Sequence, residues 1–96
     1  MDRVFEFSPG SIARHFKRLE LTAAQLQQEP QMYLYQIVGT AEHTESGETL
    51  MVYRPLYGEQ KLYARPLAMF LSEVDREKYP TARQRYRFER IEEETP

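Results

Sequence analysis

The chain has neither cysteine nor tryptophan among its 96 residues. Without cysteine there is no disulfide framework, no thiolate metal site and no cysteine nucleophile. Its four glycines leave no room for a phosphate-cradling glycine-rich loop. Neither a G-x-S-x-G elbow nor a zincin helix is present. No window approaches the ~18 consecutive apolar residues of a membrane span. No sign of charge dominates either: 13 Lys and Arg against 15 Asp and Glu leave a formal charge of -2. That balance argues against a dominant nucleic-acid surface.

What is present fits one small domain. A chain of this length buries roughly 60–65% of its unfolded surface, enough for an independent fold with little to spare. Apolar residues make up 41%, and aromatics reach 12% through seven tyrosines and five phenylalanines. The start, Met1-Asp2-Arg3-Val4-Phe5-Glu6, alternates charged and apolar groups and does not read as a signal peptide. With the absence of cysteine this sets a cytoplasmic expectation. Basic charge gathers late: residues 61–91 hold eight basic groups against four acidic ones. They alternate with acids and do not form a block, which suits a solvated strand.

Along the chain, residues 1–9 form a lead-in closed by the turn signal Ser8-Pro9-Gly10. Ile12 to Arg18 alternates as a short strand. Thr22 with Gln25 three residues on makes a capping box, and Leu21 with Leu26 a hydrophobic staple, for a helix over 22–29 that Pro30 ends. Such a short helix has to dock on the body to persist. From Met32 both faces of a strand are apolar, with Gly39 where a bulge would bend it. Thr44 to Glu48 is a hairpin loop in which Gly47 supplies a positive φ. The return strand runs from Thr49 to Tyr57, with Leu50, Val52, Arg54 and Leu56 on one face and Met51, Tyr53 and Tyr57 on the other. Lys61 to Arg65 is another short strand. Pro66 then opens an apolar helical or 3-10 turn that plugs the core with Leu67, Phe70 and Leu71. Gln84 to Ile91 is the last strand, and 92–96 is an acidic tail. The fold class is therefore mainly β: a small SH3-like barrel of about five strands over residues 10–91, with one inserted helix and one plug turn. Closure hides the edges of strands this short.

Several landmarks agree in order and separation: Arg14-His15-Phe16-Lys17, Val38-Gly39, Ala41-Glu42-His43-Thr44-Glu45, Val52-Tyr53-Arg54, Leu56-Tyr57-Gly58 and Arg65-Pro66-Leu67-Ala68-Met69-Phe70. Over residues 10–74 the chain resembles the bacterial family known as domain of unknown function 1653, whose members are small SH3-like barrels. The helix around 22–29 expands that family's short link after its first strand. Tyr63 stands where many members show Trp. Both features, with the stretch from Tyr79 to Phe88, resemble a longer subgroup. The resemblance implies a fold and a bacterial cytoplasmic setting, and it implies no activity.

The candidate chemistry is recognition. His43, between Glu42 and Glu45, is either an acid–base or ligand-contacting group or a ring that bonds its own hairpin loop. Only His15, His43 and carboxylates could ligate a metal, without suitable spacing, so no metal and no cofactor are expected. Arg54 sits on a mostly apolar face. It either pairs with a glutamate such as Glu42 or offers a fork to a carboxylate or phosphate ligand. Arg65, before Pro66, either braces the plug turn through carbonyls or joins that ligand site. Tyr53 and Tyr57 complete a candidate groove with His43, Arg54 and Arg65, suited to a protein or peptide partner. The alternative partner is a weakly bound nucleic acid on Arg83, Arg85, Tyr86, Arg87 and Arg90. A small enzyme acting through His43 and Arg54 ranks last. No catalytic set is assigned, no membrane partner is expected, and the oligomeric state is open.

Overall fold

The computed structural model describes residues 3–92. Five antiparallel strands, β1 Ile12–His15, β2 Leu34–Glu42, β3 Thr49–Pro55, β4 Tyr63–Pro66 and β5 Phe88–Ile91, form one sheet in the order β4-β3-β2-β1-β5. Helices α1, Ala23–Gln28, and α2, Leu67–Phe70, and 3-10 turns at Arg3–Glu6 and Phe16–Glu20 complete the described elements. Of the expected acidic tail only Glu92 falls among the described residues. No helix is long and apolar enough to cross a membrane, among the described residues.

Local chemistry sets the boundaries. The capping box of α1 forms in both directions: Thr22 Oγ1 accepts the Gln25 N–H at 3.1 Å, and Gln25 Oε1 accepts the Thr22 N–H at 2.8 Å. No residue of α1 is buried, and Leu21 and Leu26 are only half-buried. The expected strand 12–18 stops at His15. There the ring Nδ1 accepts the Lys17 N–H at 3.1 Å and caps the second 3-10 turn. A side-chain acceptor two residues upstream competes with the sheet for that N–H and wins. The bulge falls where Gly39 suggested it, with the β2–β3 register shifting between Ile37 and Gly39. Gly47, at φ +77°, turns the hairpin.

The residues of the main core share one face of the sheet, while Ile12 and Leu34, next to Ala13 and Tyr35 in their strands, are buried on the other. Met51 and Tyr53 point into the core with Ala13, Tyr35, Ile37 and Phe88, while Phe70 of α2 plugs it. Leu50, Val52 and Arg54 take the outer face. The lead-in is part of this core: Phe7 is buried and packs edge-on against Phe70 at 5.1 Å between ring centroids.

The sheet is strongly rolled. In a flat sheet β3 and β5 would lie three strand spacings apart, about 14 Å. Yet the Tyr53 and Phe88 ring centroids are 5.6 Å apart. The roll does not close into the expected barrel, because β4 and β5 are not paired. The place beside the last strand is already taken. Arg87 N–H donates to Ser72 O and Val74 N–H to Arg85 O, both at 2.9 Å, around a bridge between Glu73 and Tyr86. The segment that leaves α2 thus pairs with the residues just before β5, on the side from which β4 would approach.

Candidate functional site

The unclosed seam organises the site. On β4, Tyr63 stands opposite Tyr53, and Arg65 opposite Met51, so all four lie on the inner face. The Tyr53 and Tyr63 rings meet edge-on at 6.0 Å. Arg65 Nε donates to the Tyr53 hydroxyl at 3.1 Å. Its guanidinium lies 5.7 Å from the centroid of the Phe88 ring on β5. Arg65 therefore reaches over the seam, and it braces Tyr53 instead of the carbonyls of the plug turn. No carboxylate lies within ion-pair distance of it among the described residues.

Beside this arginine the surface is apolar and open. Leu62 is 61% exposed, Tyr63 48% and Met69 50%. With Ala64 and Pro66 they line a groove along β4 that takes in Tyr53 and Arg65. The strand is an edge: among the described residues the backbones of Tyr63, Ala64 and Arg65 bond to no main chain but β3.

The other sequence candidates separate. Tyr57 is half-buried and shares a hydrogen bond of 2.8 Å with the Tyr35 hydroxyl. Burial pushes both phenols above their ordinary pKa. It joins Tyr53 only through the Tyr35 ring between them. Arg54 lies on the opposite face of the sheet. One guanidinium nitrogen donates to Gln36 Oε1 at 2.7 Å, not to Glu42, and its buried Nε has no partner among the described residues. His43 sits at the hairpin, where Nδ1 accepts the N–H groups of Glu45 and Ser46 at 3.2 and 3.3 Å. Tyr53 and Arg65 thus come together, Tyr57 sits nearby, and Arg54 and His43 are elsewhere.

The basic C-terminal set is largely engaged within the chain. Arg83 donates to Leu19 O, Arg85 pairs with Glu73 at 3.3 Å, and Arg87 Nε reaches Ser72 Oγ at 3.4 Å. Tyr86 lies under the Arg3 guanidinium at 3.7 Å, which covers one stacking face. Arg90 is exposed. Among the described residues no three His, Asp or Glu side chains converge on a metal position.

Residues 11–90 match the family model described as protein of unknown function (DUF1653). The chain belongs to that family. No curated protein and no solved structure matches it. The match runs beyond the expected 10–74, so the stretch from Gln84 to Arg90 also lies inside the DUF1653 region. The groove residues Leu62, Tyr63 and Met69 were not among the site candidates read from the sequence. Their signal is a four-residue strand with apolar groups on both sides, which an edge position alone turns into an exposed surface.

Proposed function

We propose that the protein is a non-enzymatic recognition module of the bacterial cytoplasm that binds an extended protein segment along β4. The strand order, with a helical turn between β4 and β5, supports an SH3-like roll left open at one seam. The observation that carries the reading is the edge of β4, unpaired among the described residues, between an apolar groove and an arginine that Tyr53 holds through Nε and that has no carboxylate partner there. A peptide strand laid there gains main-chain hydrogen bonds, and alternate side chains meet Leu62, Tyr63 and Met69. A carboxylate on the peptide meets Arg65, the residue type suited to fork recognition. A separation of catalytic-type residues supports a binding role: His43 and Arg54 occupy different parts of the molecule and share no cleft.

The test is a random decapeptide array probed with the folded chain, followed by amide hydrogen exchange with the selected peptides. Selected sequences should be apolar with an acidic position, and should slow exchange at the outward amides of β4. Arg65→Gln should weaken binding by about tenfold, the order expected for one charge-assisted contact. Selection of no peptide, or protection confined to other elements, overturns the reading.

A further inference from the structure

A second concavity lies at the far end of the sheet, where β1 gives way to its 3-10 turn and β2 begins. It measures about 400 Å³ and is lined by Phe16, Lys17, Tyr33, Tyr79 and Lys78, with Leu21, Glu20 and Gln25 at its rim. It shares no residue with the β4 groove. Its size falls at the small end of the ~300–1,000 Å³ typical of small-molecule sites.

The two lysines arrive on separately capped turns. Lys17 follows His15, whose Nδ1 accepts the Lys17 N–H at 3.1 Å. Lys78 follows Asp75, whose Oδ1 accepts the N–H groups of Glu77 and Lys78 at 3.0 and 3.3 Å. Both ammonium groups then converge on one ring: Lys17 Nζ is 5.6 Å and Lys78 Nζ 5.8 Å from the Tyr79 centroid. Neither forms an ion pair among the described residues, although Glu20 lines the same cleft. Two ammonium groups beside one ring, without an ion-pair partner among the described residues, gather positive charge that an anion in the cleft would offset.

The cleft floor carries an independent sign of function. Tyr33 is held at φ +65°, a left-handed conformation that is an outlier for a bulky side chain. The surroundings enforce it: the His15 N–H donates to Tyr33 O at 3.0 Å, and the Tyr33 ring packs on His15 at 5.6 Å and Tyr57 at 5.9 Å. Strain of this kind gathers at ligand sites. Phe16 and Tyr79 meet edge-on at 4.9 Å, which presents an apolar wall beside the two ammonium groups.

We infer that this cleft binds a small planar organic anion, its carboxylate or phosphate between Lys17 and Lys78 and its plane against Tyr79 and Phe16. The test titrates the folded chain with adenosine monophosphate and with benzoate, and with neutral adenosine and benzamide, while following the ring resonances of Phe16, Tyr33 and Tyr79. At least one anion should shift these rings at concentrations below about 1 mM, with its neutral counterpart at least tenfold weaker. Which anion binds tells a nucleotide from an aromatic acid. The double variant Lys17→Gln with Lys78→Gln keeps its long solvated side chains and should lose at least tenfold in affinity while retaining the wild-type melting temperature. Equal binding of a neutral counterpart, an unaffected double variant, or silent ring resonances with both anions overturns the inference. None of these outcomes bears on peptide binding at β4.

Discussion

At one edge of the sheet, the start of β5 and the residues leading into it have partners on their outward side. Arg3 donates to Phe88 O at 2.7 Å and to Leu71 O at 3.0 Å, and the stretch from Ser72 to Val74 bonds the main chain just before the strand. At the other edge, β4 keeps a bare main chain flanked by exposed Leu62, Tyr63 and Met69. An open, apolar edge invites pairing with other chains, and proteins ordinarily blunt or cover it. Among the described residues this chain covers the entry to β5 and leaves β4 uncovered. The asymmetry teaches that the roll is stopped one pairing short of closure, and the vacant pairing is the edge that the proposed peptide strand would take.

The largest way to test that contrast is to delete one aromatic from each side. Phe88 is 1% exposed and stacks on Phe70 at 4.2 Å, with Tyr35, Tyr53 and His15 at its edges. Phe88→Ala should cost about 3–5 kcal/mol, the range for emptying a packed aromatic site. Tyr63→Ala should cost well under half of that, because about half of the residue already faces water, at 48% exposure. Urea denaturation of both variants measures the difference. Equal losses would mean that β4 is as buried as β5, and the contrast would be gone.

How far the sequence carries this picture depends on the range of the interaction. The capping box at Thr22, the Gly47 turn, the Gly39 bulge and the Leu67 to Leu71 plug were all legible, because each is encoded within a few residues. The choice between the two faces of β3 was not. Leu50 and Val52 are no less apolar than Met51 and Tyr53, and only the register with β2 puts the latter pair inside. The open seam was also out of reach. It follows from Ser72 and Val74 pairing with Arg87 and Arg85 and from Arg3 reaching Phe88, contacts across long stretches of chain. Gln84 shows the same limit. A lone glutamine in a basic stretch looks solvated. Yet it is 2% exposed, accepts from Arg14 Nε at 2.8 Å and donates to Arg14 O and Tyr86 O at 2.9 Å. Of the candidate groove residues His43, Tyr53, Arg54, Tyr57 and Arg65, Tyr53 and Arg65 are in contact. Arg54 could not join them, since adjacent residues of a strand face opposite ways.

A middle-sized effect separates the two regions by pH. His15 is packed against Phe88 on the sealed side, while His43 sits on the exposed hairpin. Burial first, then Lys17, Arg65 and Arg87, push His15 down from 6.5 to about 4. Between those values the unfolded chain takes up a proton that the folded one refuses. Stability present above pH 6.5 therefore falls as pH drops toward 4, and levels off below that for this group. Partial solvent access reduces the effect to about 2 kcal/mol. His15→Asn keeps a capping acceptor for the Lys17 N–H and should flatten the stability profile over this window. A slope that survives His15→Asn would assign the acid sensitivity to other groups.

The smallest effects probe the edges themselves. Arg3 makes two charge-assisted hydrogen bonds to the covered side and lies over Tyr86 at 3.7 Å. Arg3→Met keeps much of the stem but leaves Leu71 O and Phe88 O without their donor, and should cost about 1–2 kcal/mol. On the open side, Leu62→Lys with Met69→Lys replaces exposed apolar groups by charges that water can solvate. Stability should stay within about 0.5 kcal/mol of wild type, as for surface changes that break no packing or hydrogen bond. Peptide binding at β4 should nevertheless be lost, because positive charges then flank a strand whose partner needs an apolar groove. If the lysine pair costs as much stability as the loss of Arg3, then β4 is covered within the fold and the two edges are alike.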